Sequence, residues 1–237
     1  MKKAFAAPLA IAAAAAALTA FMVVANIATT ESIPYEVAEV PREATESTVL
    51  EQAVSAGEES RIPEPAVAWI TIPGTTIDYP IVQADSDSPD FYLTHDIDGH
   101  RSAWGTPYIH SGCEQGADSP LVIVFGHNMS DGTMFAPLAN YSRRSFAQEH
   151  RTILVRTEGG TRRLEVFAAD VLDADSEGVV AGFDGIDGLR SFIDDKLRSC
   201  EVVLSEPKDL ERAWCFVTCS YQTDNSRTAV YAMEVRQ

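Results

Sequence analysis

The sequence predicts a mainly β protein, a closed barrel of seven or eight strands with a few peripheral helices, preceded by an N-terminal transmembrane helix. Three observations support this fold class. After residue 66 most apolar segments are short, alternating and rich in aromatic and β-branched residues, as strands are. Only one long segment carries apolar residues at helical spacing. Many short strands with few helices favour a barrel over a doubly wound sheet.

The first 30 residues begin with Lys2 and Lys3 and continue as an Ala-rich, uncharged segment. About 20 such residues are enough to span a bilayer as a helix. Two lysines before the segment predict that this end stays in the cytoplasm and that the following chain lies outside. A cleaved signal peptide is the alternative, with a small-residue site at residues 23–25. We expect a single-pass anchor in the cell membrane, with the domain that follows it outside the cell.

Residues 31–66 form a second region, with nine glutamates, four prolines and two arginines. This acidic composition predicts a solvated stalk, with a helix over residues 45–56 that could dock on the domain. Residues 67–237 have the length of one domain with a single core. The formal net charge of −17 argues against a nucleic-acid partner, because a phosphate backbone requires a cationic face.

The domain is predicted to contain the following elements in chain order. A Pro73-Gly74 turn and a Gly159-Gly160 turn each indicate a hairpin, and the run Leu121–Phe125, apolar on both faces, indicates a central strand. The predicted elements are a hairpin at 68–83, a strand at 106–110, the central strand at 121–125, short helices at 134–141 and 145–150, a hairpin at 152–174, an amphipathic helix at 189–197, a strand at 200–204 and a hairpin at 214–221 and 228–235.

The last hairpin contains the candidate nucleophile. Antiparallel pairing of its strands places Cys219 and Arg227 on neighbouring strands near the mouth of the connecting loop. A thiolate attacks best with a base or cation beside it, and His127, at the end of the central strand, is the candidate base. The residue types alone leave open a structural cysteine and a turn histidine. Four other histidines compete for the role of base: His95, His100, His110 and His150.

The spacing of the four cysteines predicts no metal site, and it excludes a disulfide between Cys215 and Cys219. Cys215 and Cys219 lie four residues apart in one predicted strand, roughly 13 Å at ~3.3 Å per residue, which is too far for a disulfide. A Cys113–Cys200 disulfide stays open. Zinc sites show close CxxC or HxxxH pairs, whereas this chain has one His110-x-x-Cys113 and a strand-spaced pair. No glycine-rich phosphate loop is present in the sequence, so no cofactor is predicted.

Three blocks of the sequence resemble the sortases, the cysteine transpeptidases of Gram-positive cell walls, and class B in particular. They are WITIPGTTIDYPIVQ, FGHNMSDGTMFAPL and VTCSY followed by Arg227, and they occur in the family's order. The resemblance runs from about Val67 to the end of the chain, and the anchor, the stalk and the late amphipathic helix also look like the class B arrangement. It implies a β-barrel with a site made of Cys219, His127 and Arg227, without metal or cofactor.

The resemblance also implies a reaction. Such enzymes cut the C-terminal sorting signal of a surface protein after its threonine, hold the acyl group as a thioester, and pass it to an amine. Cys219 would attack the carbonyl, His127 would protonate the departing amine, and Arg227 would stabilise the oxyanion. The sorting motif and the acceptor, a cell wall precursor or a pilin lysine, stay open, because the loop after Cys219 is short and touches substrate preference. A cysteine endopeptidase and a non-catalytic extracellular binding barrel are the alternatives.

Overall fold

The computed structural model describes residues 62–173, 180–183, 185–220 and 225–235. All of them belong to one compact unit that spans residues 44–237. The predicted membrane helix, and the predicted stalk as far as residue 61, lie outside the described residues. Among the described helices, none combines the length and the apolar character needed to cross a bilayer.

One sheet of nine strands dominates the described residues. Each predicted strand region contains a strand, although β3 and β7 are only two residues long. The strands are β1 (Ala68–Thr71), β2 (Asp78–Gln83), β3 (Tyr108–Ile109), β4 (Leu121–Phe125), β5 (Thr152–Thr157), β6 (Gly160–Asp173), β7 (Val202–Val203), β8 (Ala213–Ser220) and β9 (Ser226–Glu234).

The sheet closes on itself as a barrel. Its strand order is β5-β1-β2-β3-β4-β8-β9-β6-β7, and β5 also pairs with β6. Eight strands therefore form a closed ring, and β7 is added outside the ring on β6. Closure leaves no long unpaired strand edge within the ring. This confirms the predicted closed, mainly β barrel.

Two of the neighbouring strand pairs run parallel, β2 with β3 and β4 with β8, whereas the other pairs are antiparallel. The β4/β8 pair aligns Leu121 with Ala213 and Phe125 with Val217. Parallel neighbours end at the same edge of a sheet, so whatever follows β4 and β8 in the sequence meets there. This edge holds the candidate site.

The described helices lie between the strands and are short except for one. Helix α1 spans Arg144–Glu149 and helix α2 spans Gly185–Ser199, with Leu189 and Ile193 buried as the predicted spacing requires. Three 3₁₀ helices cover Phe91–Leu93, Gly116–Asp118 and Ala136–Ser142. The last one starts later than the helix predicted at 134–141, because Met134 has a left-handed φ of 55° and Phe135 is the N-cap.

Aromatic side chains in the core support the turn after β4. Trp214 and Phe216 alternate with Cys215 and Val217 along β8, are fully buried, and stack with ring centroids 5.9 Å apart. Phe135 packs against Phe216 edge to face. A Cβ atom added at Gly126 would lie 2.6 Å from the Phe135 ring, so only glycine fits here without displacing the core.

Candidate active site

The three residues predicted from the sequence line one cavity. The cavity has a volume of about 260 Å³ and lies where β4, β8 and β9 meet. His127 and Cys219 each follow the last β4/β8 pair by two residues, and Arg227 is the direct cross-strand partner of Cys219 on β9. The lining residues are Asp90, Leu93, Tyr108, His110, Phe125, Gly126, His127, Val217, Thr218, Cys219 and Arg227.

The strand geometry brings Cys219 and Arg227 especially close. The amide of Gly126 donates to the carbonyl of Val217 at 3.1 Å, so this carbonyl points toward β4. Carbonyls two residues apart in a strand point to the same side, and the carbonyl of Cys219 therefore also faces β4 rather than β9. Cys219 and Arg227 thus form a non-hydrogen-bonded pair, the type in which opposing Cα atoms are about 4.5 Å apart and the side chains are nearest.

A hydrogen bond to a backbone carbonyl selects one tautomer of the neutral His127 imidazole. Its Nε2 atom lies 2.6 Å from the carbonyl oxygen of Leu93. A carbonyl only accepts hydrogen bonds, so Nε2 carries a proton, and Nδ1 is the ring nitrogen that can gain or lose one. The main-chain carbonyl of His127 accepts from the Phe135 amide at 2.8 Å, which fixes the backbone below the ring.

Gly105 supports the carbonyl that holds His127. It has a left-handed φ of 61°, and a Cβ atom there would lie 2.4 Å from the Tyr92 oxygen and 2.9 Å from the Leu93 oxygen. The Thr106 amide also donates to Tyr92 at 2.9 Å. The segment around Gly105 therefore packs directly on the 3₁₀ helix that carries Leu93.

Two side chains connect the ends of β4 and β8, and sequence reasoning gave neither a role. The hydroxyl of Thr218 donates to the Gly126 carbonyl at 2.9 Å. The side-chain amide of Asn128 donates to the Cys219 carbonyl at 2.8 Å. Where the backbone ladder stops, side-chain hydrogen bonds continue it.

A polar wall of Asp90, Tyr108 and His110 faces the cavity, and sequence reasoning missed it apart from naming His110 as a competing base. The Tyr108 hydroxyl donates to Asp90 at 3.4 Å, and burial, then the Asp90 charge, raise the pKa of Tyr108 above its usual range. Burial lowers the pKa of His110, and its Nδ1 accepts from the Gly112 amide at 3.0 Å. His110 is therefore neutral near pH 7, with its proton on Nε2.

The alternation of Tyr108 and His110 in the predicted strand placed both side chains on one face, which was an available signal. Asp90 gave none, because it precedes a 3₁₀ helix in an irregular segment. The other three histidines of the described residues do not line the cavity. His95 stacks on Phe91, His100 lies beside Asp96 at the surface, and His150 binds the Phe146 carbonyl.

All four cysteines are free thiols, so Cys113 and Cys200 do not form the disulfide that the sequence left open. Cys113 is buried and its sulfur contacts the backbone of Leu121 and Ile123 at 3.4 Å. Burial raises the pKa of the Cys113 thiol and raises the pKa of Cys215 to about 12. Cys219 is the one exposed thiol of the described cysteines.

Metal-ligand side chains group together at one place in the described residues, and none of the three lines the cavity. The ligand atoms of Asp96, Asp98 and His100 lie within 4.8 Å of one another in an irregular, mostly exposed segment. Hydrogen bonds from backbone amides to Asp96 account for this grouping without an ion. The sequence pairs weighed as ligands, His110 with Cys113 and Cys215 with Cys219, do not form such a group.

Comparison with known proteins gives consistent matches. The family model described as the sortase domain matches residues 70–235. Sortase B of Listeria monocytogenes serovar 1/2a (strain ATCC BAA-679 / EGD-e) is 33% identical over 102 residues, which are 43% of this chain and 41% of the relative. Sortase B of Staphylococcus aureus (strain NCTC 8325 / PS 47) is 26% identical over 138 residues, 58% of this chain and 56% of the relative.

These matches span about half the length of the two curated relatives. The X-ray structure of Clostridium perfringens sortase B superimposes with a TM-score of 0.65 at 26% identity. The superposition covers 78% of this chain and 100% of that chain. The likeness therefore includes the whole barrel of the solved structure.

Proposed function

Because the chain belongs to the sortase family, we propose that it is a class B cysteine transpeptidase that acts on the C-terminal sorting signals of surface proteins. The observation that carries the proposal is the shared cavity of Cys219, His127 and Arg227. An exposed thiol, an imidazole with one exchangeable nitrogen and a guanidinium opposite the thiol are the groups that acyl transfer requires.

Acylation uses each of these groups once. The sulfur of Cys219 attacks the threonine carbonyl of the sorting signal, and the thiol proton resides on Nδ1 of His127. Arg227 donates hydrogen bonds to the oxyanion as the carbonyl becomes tetrahedral. The carbon–nitrogen bond then breaks, His127 gives its proton to the leaving amine, and a thioester on Cys219 remains.

Transfer reverses these steps with a different amine. The acceptor amine attacks the thioester carbon, His127 accepts the proton that the amine loses, and the Cys219 sulfur leaves as the new amide forms. Tyr108 and His110, both neutral at pH 7, contribute hydrogen-bonding groups to the cavity without adding charge. Asp90 and Arg227 supply the charges that face the cavity.

The proposed setting is the outer face of the cell membrane, with residues 1–30 as a single-pass anchor and residues 31–66 as a stalk. The Lys2-Lys3 start and the uncharged segment after it support this placement. The proposed acceptor is an amine of the cell wall precursor. The short loop after Cys219 and the family resemblance are also compatible with a pilin lysine.

Mass spectrometry of the full-length protein with sorting-signal peptides tests the proposal. We expect an acyl adduct on Cys219 and, with added glycine oligomers, an amide product. A product formed only with a lysine-bearing peptide would identify a pilin polymerase, and hydrolysis alone would identify an endopeptidase. Absence of any adduct, with Cys219 unreactive toward a thiol reagent, would instead support a binding barrel.

A further inference from the structure

The backbone ladder between β4 and β8 ends one rung before the candidate site. Its last rung is the hydrogen bond from the Gly126 amide to the Val217 carbonyl. In a parallel ladder the next rung on this side joins the amide of residue 128 to the carbonyl of residue 219. The backbone of Asn128 has turned away, because it forms a bridge with Met134. The same residue's side-chain amide reaches the Cys219 carbonyl at 2.8 Å instead.

We propose that Asn128 is a positioning residue for the transpeptidation reaction, and that its side-chain amide replaces the missing backbone rung. This inference rests on the proposed function. The hydrogen bond joins the residue that follows His127 to the main chain of Cys219. It therefore fixes the turn that carries the imidazole against the strand end that carries the thiol.

The chemistry of the contact explains why asparagine fits this position. Its side chain presents a planar amide donor like that of the backbone, and this donor lies 2.8 Å from the Cys219 carbonyl oxygen. Aspartate has the same shape but only accepts when ionised, so it would face the Cys219 carbonyl as acceptor against acceptor. Asn128 is not among the residues that line the cavity, and its side-chain amide is engaged with the Cys219 carbonyl.

The expected effect is on turnover rather than on substrate binding. A displacement of about 1 Å between reacting groups can cost on the order of 10²-fold in rate. Without the Asn128 side-chain amide, the hydrogen bond from the Phe135 amide to the His127 carbonyl remains. The hydrogen bond between the His127 turn and the Cys219 carbonyl on β8 is lost. We expect Asn128→Asp and Asn128→Ala to lower kcat for acylation by about 10- to 100-fold, with KM within about twofold of wild type.

The test measures kcat and KM for acylation of the full-length protein by a sorting peptide across pH 6 to 9. Rates are normalised to the folded fraction and to Cys219 sites counted by alkylation. Asn128→Gln keeps the amide donor and should recover part of the rate that Asn128→Ala loses. Thr133→Val is the matched control, because the Thr133 hydroxyl bonds only within the same loop, to Asp131, and should leave kcat within about twofold.

Normalised kcat values for Asn128→Asp and Asn128→Ala within about threefold of wild type would overturn the positioning role. So would an equal loss in Thr133→Val, because any change in the loop would then suffice. If wild-type protein itself forms no acyl adduct, the proposed function fails, which is a separate outcome. A rise in KM with unchanged kcat would also contradict the inference, since it would indicate lost substrate binding.

Discussion

Strand β8 carries two cysteines that differ in exposure to solvent and in the strand pairing around them. Cys215 and Cys219 lie four residues apart on the same face of the strand. Cys215 is 5% exposed, sits within the ladders to β4 and β9, and has its pKa raised to about 12 by burial. Cys219 is exposed, lies beyond the last β4/β8 backbone pair, and faces a cavity beside Arg227.

The difference shows that position along a strand decides what a thiol can do. In the middle of β8 both neighbours continue the sheet and the core covers the side chain. At the end of β8 the backbone that follows β4 turns away while β9 stays paired, and a cavity lies beside Cys219. A thiol is a nucleophile only where it can ionise and be reached, so the middle of the strand suits packing and its end suits the proposed chemistry.

Replacement of each cysteine by alanine should separate these two roles with the largest effect. Cys219→Ala should abolish acylation, a loss on the order of 10⁶-fold by analogy with nucleophile removal in other hydrolases. Cys215→Ala should acylate nearly normally but unfold more easily, by roughly 0.5–3 kcal/mol. Acylation rates and urea midpoints of both variants measure this. Substantial acylation of the Cys219→Ala variant would show that Cys219 is not the nucleophile.

Alkylation of the native protein should discriminate the thiols next. Cys219 is open to solvent, whereas Cys215 and Cys113 react only when the fold opens, so their labelling should be slower by about 10³-fold or more. Peptide mapping after timed iodoacetamide treatment gives each rate. The half-buried Cys200 should be intermediate. Equal rates for Cys215 and Cys219 would mean that burial does not protect the strand centre.

Replacement of Arg227 should lower the acylation rate of Cys219 at the exposed end of β8. Removal of an oxyanion donor costs ~3–4 kcal/mol, or roughly 10²- to 10³-fold in rate. Arg227→Ala and Arg227→Lys should both show this loss while remaining folded, because an ammonium lacks the planar fork of donors. Single-turnover acylation and melting temperatures measure it. A lysine variant within about threefold of wild type would reduce the site to a Cys-His pair.

A smaller effect should appear in the pH dependence of stability. The unfolded Cys215 thiol loses its proton near its ordinary pKa of 9.0, whereas the folded thiol keeps it to about 12. Above pH 9 the unfolded state binds fewer protons, so the free energy of unfolding falls by up to about 1.4 kcal/mol per pH unit. Below pH 9 this contribution is fully present.

Urea unfolding of wild type and Cys215→Ala between pH 8 and 11 isolates this effect. The wild-type curve should fall more steeply than the variant curve above pH 9, since alanine has no proton to lose. Parallel curves over the whole range would show that the Cys215 thiol does not resist ionisation in the folded state.

The sequence predicted the local part of this architecture well. Turn residues and alternation predicted the last hairpin, with Cys219 and Arg227 on neighbouring strands near its loop. The structure adds the register, which pairs these two residues directly. The central strand and the closed barrel also follow from apolar patterning. The structure places Cys219, His127 and Arg227 around one cavity, and their catalytic roles stay predictions for the measurements above.

The long-range part could not be predicted from patterns of neighbouring residues. The parallel pairing of β4 with β8 depends on which strands meet in three dimensions, and no local signal encodes it. Without that pairing, five histidines were candidates, and His127 was favoured by its position at the end of the central strand and by the family resemblance. The proposed role of Asn128 could not be predicted either, because it depends on where the backbone leaves the ladder.

The pairing of β4 with β8 also determines when the site can form during folding. The Thr218 to Gly126 hydrogen bond joins residues 92 positions apart, and Cys219 meets Arg227 only after β9 has paired. Contacts of such separation form slowly, because a long loop must close before they contribute stability. A chain synthesised from its N-terminus therefore has β8 and β9 available only after β1 to β7, so the thiol and the guanidinium can meet the imidazole only late in synthesis. The proposed activity therefore depends on this late long-range pairing and not on the local β8/β9 hairpin alone.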